Sequence, residues 1–294
     1  MANAPAPHLH DWTFPDARAV VAIVHGYAEH GARYAHVAAG LREHGLAALA
    51  VDLRGHGRSA GRRGHIDDFA SYHADVQARL AATQARCGEL PRVMLAHSMG
   101  GLVALDLLAS GASLAAPVAG VVLSSPFLGV ANRIPWPKRW LARLLAQVWP
   151  SCRLPSGLDA ERVCRDPEQR RFYTDDPLVF DTATPGWYRA ALRAIARVHA
   201  SALSPVNLPP LLLLVAGADH VVSADATRRF AREHRLEDAV VEYPDYFHEL
   251  LNERPPERAI VIERIAAWID GLLSERSPGS PEEDRRWGAP PTSG

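Results

Sequence analysis

The stretch VMLAHSMGGLVALDLL, residues 93–108, sets two apolar runs of different kind around a turn signal. Val93–His97 is short and apolar, the pattern of a strand buried on both faces. Met99–Leu108 is longer and built from good helix formers. Between them, Ala96-His97-Ser98-Met99-Gly100 keeps small residues two before and two after a serine. A sharp strand-to-helix turn requires this, because larger side chains would collide where the backbone is strained. Such a turn lifts the Ser98 hydroxyl to the C-terminal edge of a sheet. It also leaves the Met99 amide at a helix N-terminus, where developing negative charge can be held.

The same alternation extends in both directions. Ala17–His25, Leu46–Leu53, Ala119–Ser124, Pro209–Ala216 and Ala239–Tyr243 read as further strands. Helical spacing appears over Arg33–Glu43, Ile66–Cys87, Ala224–His234 and Ala259–Leu273. Strands separated by helices imply an α/β fold, a mostly parallel sheet with helices on both faces. The alternation breaks between Phe127 and Pro185, a stretch too long for a plain loop and rich in proline and tryptophan. The expected organisation is a loose N-terminus over 1–16, a core over 17–126 and 186–273, a helical cap inserted at 127–185 and a disordered tail at 274–294.

Composition narrows the class. A chain of 294 residues with 48% hydrophobic and 22% charged residues is an ordinary globular protein. Three scattered cysteines exclude a disulfide scaffold. A net charge of −1 argues against nucleic acid as a partner. No apolar run reaches the ~18 residues of a membrane span, and Met1–Pro15 has neither basic residues nor an apolar core. No secretory signal is therefore expected, and the expected location is cytoplasmic.

A serine nucleophile needs a base, and the base an orienting carboxylate. In the order Ser, Asp, His, each falls just past a strand. Asp219 follows the strand at 209–216, and His248 follows the last strand and precedes the last helix. Asp225 and Asp245 compete for the acid, and His220 for the base. The second donor for an oxyanion is expected in the loop HGYAEHG at 25–31, where Gly26 lets the chain turn and aims the Tyr27 amide. His25 reads as a structural residue bonded to that loop. Asp52 and Arg54 are expected to pair and brace the loops. Gly55, Gly57 and Gly61 are off the spacing of a dinucleotide loop, and no histidine sits at metal-ligand spacing, so neither cofactor nor metal is expected.

Five segments together carry a resemblance: HGYAEHGARY at 25–34, DLRGHGRSAGRRGH at 52–65, AHSMGG at 96–101, LPSGLD at 154–159 and HELLNE at 248–253. With them the chain, over about residues 17–273, resembles the α/β-hydrolase superfamily, and within it the monoacylglycerol lipase and lysophospholipase group of serine hydrolases. The resemblance implies an α/β-hydrolase fold and a triad of Ser98, Asp219 and His248. It implies an oxyanion hole from the Tyr27 and Met99 amides, and Glu29 and Arg33 bordering a polar head-group pocket. Ala96 stands where the group's elbow usually has glycine, and Leu251 where some members have a second histidine.

Trp140, Leu141, Leu144, Leu145, Val148 and Trp149 recur at helical spacing inside the cap. They are read either as a helix packed on the core or as an acyl-chain wall, with Trp140 and Leu144 as substrate-binding residues. A transient membrane-surface contact through the cap is also expected. The expected function is cofactor-free cleavage of a single-chain lipid ester, a monoacylglycerol or lysophospholipid. Two rivals are a serine aminopeptidase, with Asp175 and Asp176 holding a substrate ammonium, and a non-catalytic receptor on a hydrolase fold.

Overall fold

The computed structural model describes residues 7–131 and 135–275. Nine strands are present among them: β1 (Leu9–Trp12), β2 (Ala19–Val24), β3 (Leu46–Val51), β4 (Arg92–His97), β5 (Gly120–Ser124), β6 (Leu154–Pro155), β7 (Thr182–Ala183), β8 (Leu211–Ala216) and β9 (Val240–Tyr243). The α-helices are α1 (Ala35–Glu43), α2 (Ala70–Cys87), α3 (Met99–Ala109), α4 (Trp136–Val148), α5 (Ala160–Val163), α6 (Pro167–Asp175), α7 (Pro185–Ala200), α8 (Ala224–Glu233) and α9 (Pro255–Glu275). The main sheet runs in the order β1-β3-β2-β4-β5-β8-β9. All its pairs are parallel except β1 on β3.

The buried strands alternate by face, as a pleated backbone dictates. Val21, Ile23, Val93, Leu95, Val122 and Leu214 pack with α1 and α9 through Val37, Leu41, Val261 and Ile265. Ala22, Val24, Met94, Ala96, Val121 and Leu213 pack with α2, α3, α7 and α8 through Val76, Leu102, Ala194 and Phe230. Both faces are covered, which is why the strand sequences read as unbroken apolar runs.

Within the segment read as loose, Leu9–Trp12 forms the antiparallel edge strand β1, with Leu9 opposite Val51 and Trp12 opposite Ala48. The expected helix at Ile66 begins at Ala70. The expected start at Arg33 is a 3-10 turn before α1. The readings of residues 1–6 and 276–294 as loose ends fall outside the described residues.

β5 and β8 are neighbours in the sheet, yet α4, β6, α5, α6, β7 and α7 lie between them in sequence. The short β6–β7 pair joins Leu154 to Ala183 and Pro155 to Thr182. This segment is tied to the loop after β2. The Phe180 amide donates to the Ala28 carbonyl at 3.2 Å, the Tyr27 hydroxyl lies 3.0 Å from the Thr182 carbonyl, and His30 Nε2 sits 2.9 Å from Asp176 Oδ2. α7 starts cleanly because Thr184 caps it through the Trp187 amide, with Pro185 at its first position.

On α4, Ala142, Leu145 and Ala146 are turned inward. Its tryptophans and Val148 point to solvent: Trp136 is 78% exposed, Trp140 61% and Val148 68%. No helix among the described residues is long and apolar enough to cross a membrane.

Candidate active site

Ser98 joins β4 to α3 with φ +51° and ψ −115°, a conformation that costs a non-glycine residue on the order of 1–3 kcal/mol. The surrounding packing holds it there. Its amide donates to the Ser124 carbonyl at 2.9 Å, and its carbonyl accepts from Leu102 and Phe127. Gly100 must lack a side chain, since a Cβ would lie 2.6 Å from the His25 carbonyl oxygen and press on that of Val24. Gly101 likewise lets the Pro126 ring approach, a Cβ there falling 2.9 Å from Pro126 Cβ.

Two further loop residues meet the serine. His248 Nε2 is 2.9 Å from Ser98 Oγ, and His248 Nδ1 is 2.7 Å from Asp219 Oδ2. The other Asp219 oxygen accepts the amides of Val221 at 2.7 Å and Val222 at 2.8 Å, which fixes the carboxylate's direction. Burial lowers the His248 pKa, but the Asp219 charge and hydrogen bond outweigh it and hold the imidazole above its ordinary value. The competing residues lie elsewhere. Asp225 is an exposed partner of Arg228, Asp245 is exposed, and His220 lines the cavity edge-on to Phe247 without a bond to Ser98.

A cavity of about 490 Å³ opens above this line of groups, with Ser98, His248, Tyr27 and Met99 in its wall. Among the described residues, neither the Tyr27 amide nor the Met99 amide donates to a protein acceptor. His25 lies behind the loop as expected. Its Nδ1–H donates to the Gly26 carbonyl at 2.7 Å, and its Nε2 accepts the Leu53 amide at 2.9 Å. Much of the remaining wall is apolar, with Phe127, Val130, Leu158, Trp187 and Val222 among its residues.

Four expectations are corrected. Trp140 and Leu144 do not line the cavity; Lys138 and Ala142 of the same helix do. The reason is packing, since small residues let α4 lie close to α7 and leave the tryptophans outward. Arg33 does not border the cavity either. It is fully buried behind Glu29, which does line it. Asp52 and Arg54 do not pair: Arg54 forks onto Asp75, while Asp52 accepts the amides of Gly31 and Arg58 and the ring of His10. Asp175 and Asp176 lie outside the cavity, with Asp176 bonded to His30.

Other groups at the site were not singled out from the sequence. His97 lines the cavity 4.8 Å from the His248 ring. Burial, with His248 beside it, pulls its pKa down to about 4, so it stays neutral. Glu249 and Tyr173 also reach the wall, and the sequence sign for Glu249 was only its place after His248. For a metal, His8, His10 and Asp52 bring potential ligand atoms within 4.8 Å of one another. None of the three lines the cavity, and the Asp52 carboxylate is already engaged by two amides and His10.

A family model described as serine aminopeptidase S33 matches residues 15–255. The monoacylglycerol lipase of Mycolicibacterium smegmatis is 33% identical over 255 residues, covering 86% of this chain and 89% of that protein. The phospholipase YtpA of Bacillus subtilis is 31% identical over 267 residues, covering 89% of this chain and 100% of its own length. Among solved structures, the monoacylglycerol lipase of Paleococcus ferrophilus superposes with a TM-score of 0.75 at 28% identity, covering 92% of this chain and 99% of that one. Matched in sequence by the family model and by relatives of like length, and in fold by a lipase, the chain belongs to the serine aminopeptidase S33 family of α/β-hydrolases.

Proposed function

We propose that this chain cleaves the carboxylic ester of a single-chain lipid, a monoacylglycerol or a lysophospholipid, through an acyl-enzyme on Ser98. The chain is a hydrolase of the lipase and esterase type. The observation that carries the finer reading is the unbroken line Ser98 Oγ, His248 and Asp219, at 2.9 and 2.7 Å, in the wall of a largely apolar cavity.

The chemistry follows from that line. Ser98 Oγ attacks the ester carbonyl carbon while His248 Nε2 takes its proton. The carbonyl oxygen becomes an oxyanion and accepts the Tyr27 and Met99 amides. His248 returns the proton to the leaving alcohol as the C–O bond breaks, and Asp219 steadies the imidazolium. Water then attacks the acyl-enzyme by the same route, releasing the fatty acid and restoring the serine. The exposed tryptophan face of α4 supports the further reading that the enzyme meets its lipid at a membrane surface.

An aminopeptidase would need a free carboxylate for the substrate ammonium. Three carboxylates line the cavity: Glu29 and Glu249 are bound to Arg33, and Asp159 is exposed and caps α5 through the Glu161 amide. That favours an ester over an aminoacyl amide. A fluorophosphonate should label Ser98 and no other serine, and monoacylglycerols and lysophospholipids should be turned over at least a hundredfold faster than aminoacyl amides. Labelling that persists in Ser98→Ala, or a preference for amides, defeats the reading.

A further inference from the structure

A second groove, of about 800 Å³, lies between α4 and α7. It abuts the active-site cavity, since Phe127, Val130, Ala142, Pro185 and Tyr188 line both. Its outer wall has a different character. Arg143 comes from α4, and Arg189 and Arg193 come from one face of α7 at helical spacing, interleaved with Leu192, Ile195 and Ala196. Among the described residues, no aspartate or glutamate lines this groove.

These arginines lack the acid partners that several others on the chain have. Arg197, one turn further along α7, forks onto both oxygens of Asp106, and Arg33, Arg54, Arg165 and Arg228 are likewise bound to carboxylates. Among the described residues, Arg143, Arg189 and Arg193 form no ion pair. Arg189 donates to the Ala146 carbonyl, which holds it across the helix pair. Its Nε is buried without a hydrogen-bond partner. Three guanidinium groups gathered around apolar surface, with no acid among them, repel one another until an anion arrives. The guanidinium fork matches a carboxylate or phosphate in two parallel bonds. A charged head with no hydrocarbon would leave Leu192 and Ile195 uncovered; an amphiphile with one alkyl chain covers them.

We propose that this groove binds the anionic head of a single-chain lipid, a carboxylate or a phosphate, with its alkyl chain laid along Leu192, Ile195 and the wall shared with the active-site cavity. Only the choice of an alkyl chain leans on the proposed lipid-ester reading; the anion site stands on its own residues. Two sources present this chemistry: the fatty acid released by ester cleavage, and the phosphate of a lysophospholipid. Both put negative charge and a chain beside the catalytic serine.

The test is equilibrium binding by calorimetry to the full-length Ser98→Ala protein, so that no turnover enters the measurement. Decanoate, decyl phosphate and uncharged decanol are the probes. The anions should bind at least tenfold more tightly than decanol, and their advantage should shrink as salt rises. Arg143→Gln with Arg193→Gln should cost the anions about tenfold and leave decanol unchanged, whereas the paired Lys variants, which keep the charge and lose the fork, should fall between. Decanoate above decyl phosphate identifies free fatty acid as the ligand, and the reverse order identifies a lysophospholipid. Equal affinity for decanoate and decanol, or an unchanged decanoate affinity in a Gln variant whose melting temperature shows it folded, overturns the proposal. Failed fluorophosphonate labelling of Ser98 in the wild type would instead count against the esterase reading, which this binding experiment does not use.

Discussion

Arg33 grips Glu249, the residue directly after His248, with both ends of its guanidinium: Nη1 is 2.9 Å from Oε1 and Nη2 is 2.9 Å from Oε2. The same Nη1 reaches Glu29 Oε2 at 2.8 Å, and Glu29 Oε1 accepts the Gly26 amide at 2.6 Å beside the proposed oxyanion donor Tyr27. Tyr173 of α6 donates to Glu249 and lies under the Arg33 guanidinium, 4.8 Å from ring centre to carbon. One buried cation thus joins the histidine loop, the oxyanion loop and the inserted segment. Burial pushes the Glu249 carboxyl up, and the Arg33 charge pulls it down further, so its pKa falls well below the ordinary carboxylate range.

Arg33→Met should therefore be severe. It strands two buried carboxylates and should cost about 3–5 kcal/mol, the loss typical of breaking a buried pair from one side. Arg33→Lys should fall between, because an ammonium cannot fork onto Glu249 while reaching Glu29. Urea unfolding measures the cost, and a loss below about 1 kcal/mol for the Met variant would show that the network carries little. The kcat of folded Arg33→Lys should drop more than its KM rises, since Arg33 lies behind the cavity wall and acts through the loops that carry His248 and Tyr27.

Asp219→Asn tests the acid. The Val221 and Val222 amides would hold the Asn carbonyl oxygen, leaving its NH2 facing His248 Nδ1. The imidazole would then carry its proton on Nε2, the wrong tautomer to deprotonate Ser98. Activity should fall by roughly 10⁴. Asp225→Asn and His220→Ala should stay near wild type, because neither side chain bonds a triad member. An active Asp219→Asn enzyme beside an inactive Asp225→Asn enzyme would reassign the acid.

The elbow and the strands were legible because both are written in local rules. Small residues flank Ser98, and buried parallel strands need unbroken apolar runs. Strand β1 escaped notice because an edge strand needs only one partner and Leu9–Trp12 mixes polar with apolar residues. The Arg33–Glu249 pair spans 216 positions and leaves no periodic trace in sequence. The stripe on α4 misled for a physical reason. Amphipathic spacing marks an apolar face but not its direction, and here Ala142 and Ala146 turn inward while the tryptophans do not.

The glycines of the elbow give a packing test. Gly100→Ala would drive a Cβ against backbone oxygens that cannot step aside. The expected cost is about 3 kcal/mol, at the upper end of overpacking. Among the described residues, nothing would lie within 4 Å of a Cβ at Gly271 in α9, so Gly271→Ala should stabilise by about 0.5–1 kcal/mol through helix propensity. Thermal melts of the two variants should move in opposite directions, and a neutral Gly100→Ala would mean that the elbow is less tightly packed than these contacts require.

Activity and stability should respond to acid through different histidines. His248 must be neutral to accept the Ser98 proton. With Asp219 holding its pKa above about 6.5, the acid limb of kcat/KM should have its midpoint above that value. Because this pKa is raised in the folded state, the stability it contributes is present below about 6.5 and lost as pH climbs through the folded value. His56 and His97 work in the other direction, burial having pushed them down to about 3 and about 4. Their contribution is present above about 6.5 and is lost as pH falls, since the unfolded chain takes up the protons first. His56→Phe should therefore shrink the stability lost between pH 7 and pH 5, while the activity midpoint stays in place. An acid limb below pH 6, or an unchanged stability slope in His56→Phe, would contradict these assignments.

The outward face of α4 yields a last prediction, opposite to that of an acyl wall. If Trp140 and Leu144 lined the acyl path, their truncation would penalise long esters in solution and spare short ones. They stand in solvent instead, at 61% and 40% exposure, with Trp136 at 78% beside them. Their truncation should leave the chain-length profile for dissolved esters unchanged. The effect should appear when the ester is presented in a bilayer. A tryptophan that buries half of its ~200 Å² in the interface gains about 2.5 kcal/mol. Trp136→Ala with Trp140→Ala should thus weaken binding to phosphatidylcholine vesicles at least tenfold, and lower turnover of vesicle-held monoacylglycerol to match. Vesicle sedimentation and the ester series, run on the same protein, separate the two ideas. Unaltered vesicle binding would remove the membrane face, and a loss on long dissolved esters alone would restore the acyl wall, whatever the exposure of these side chains.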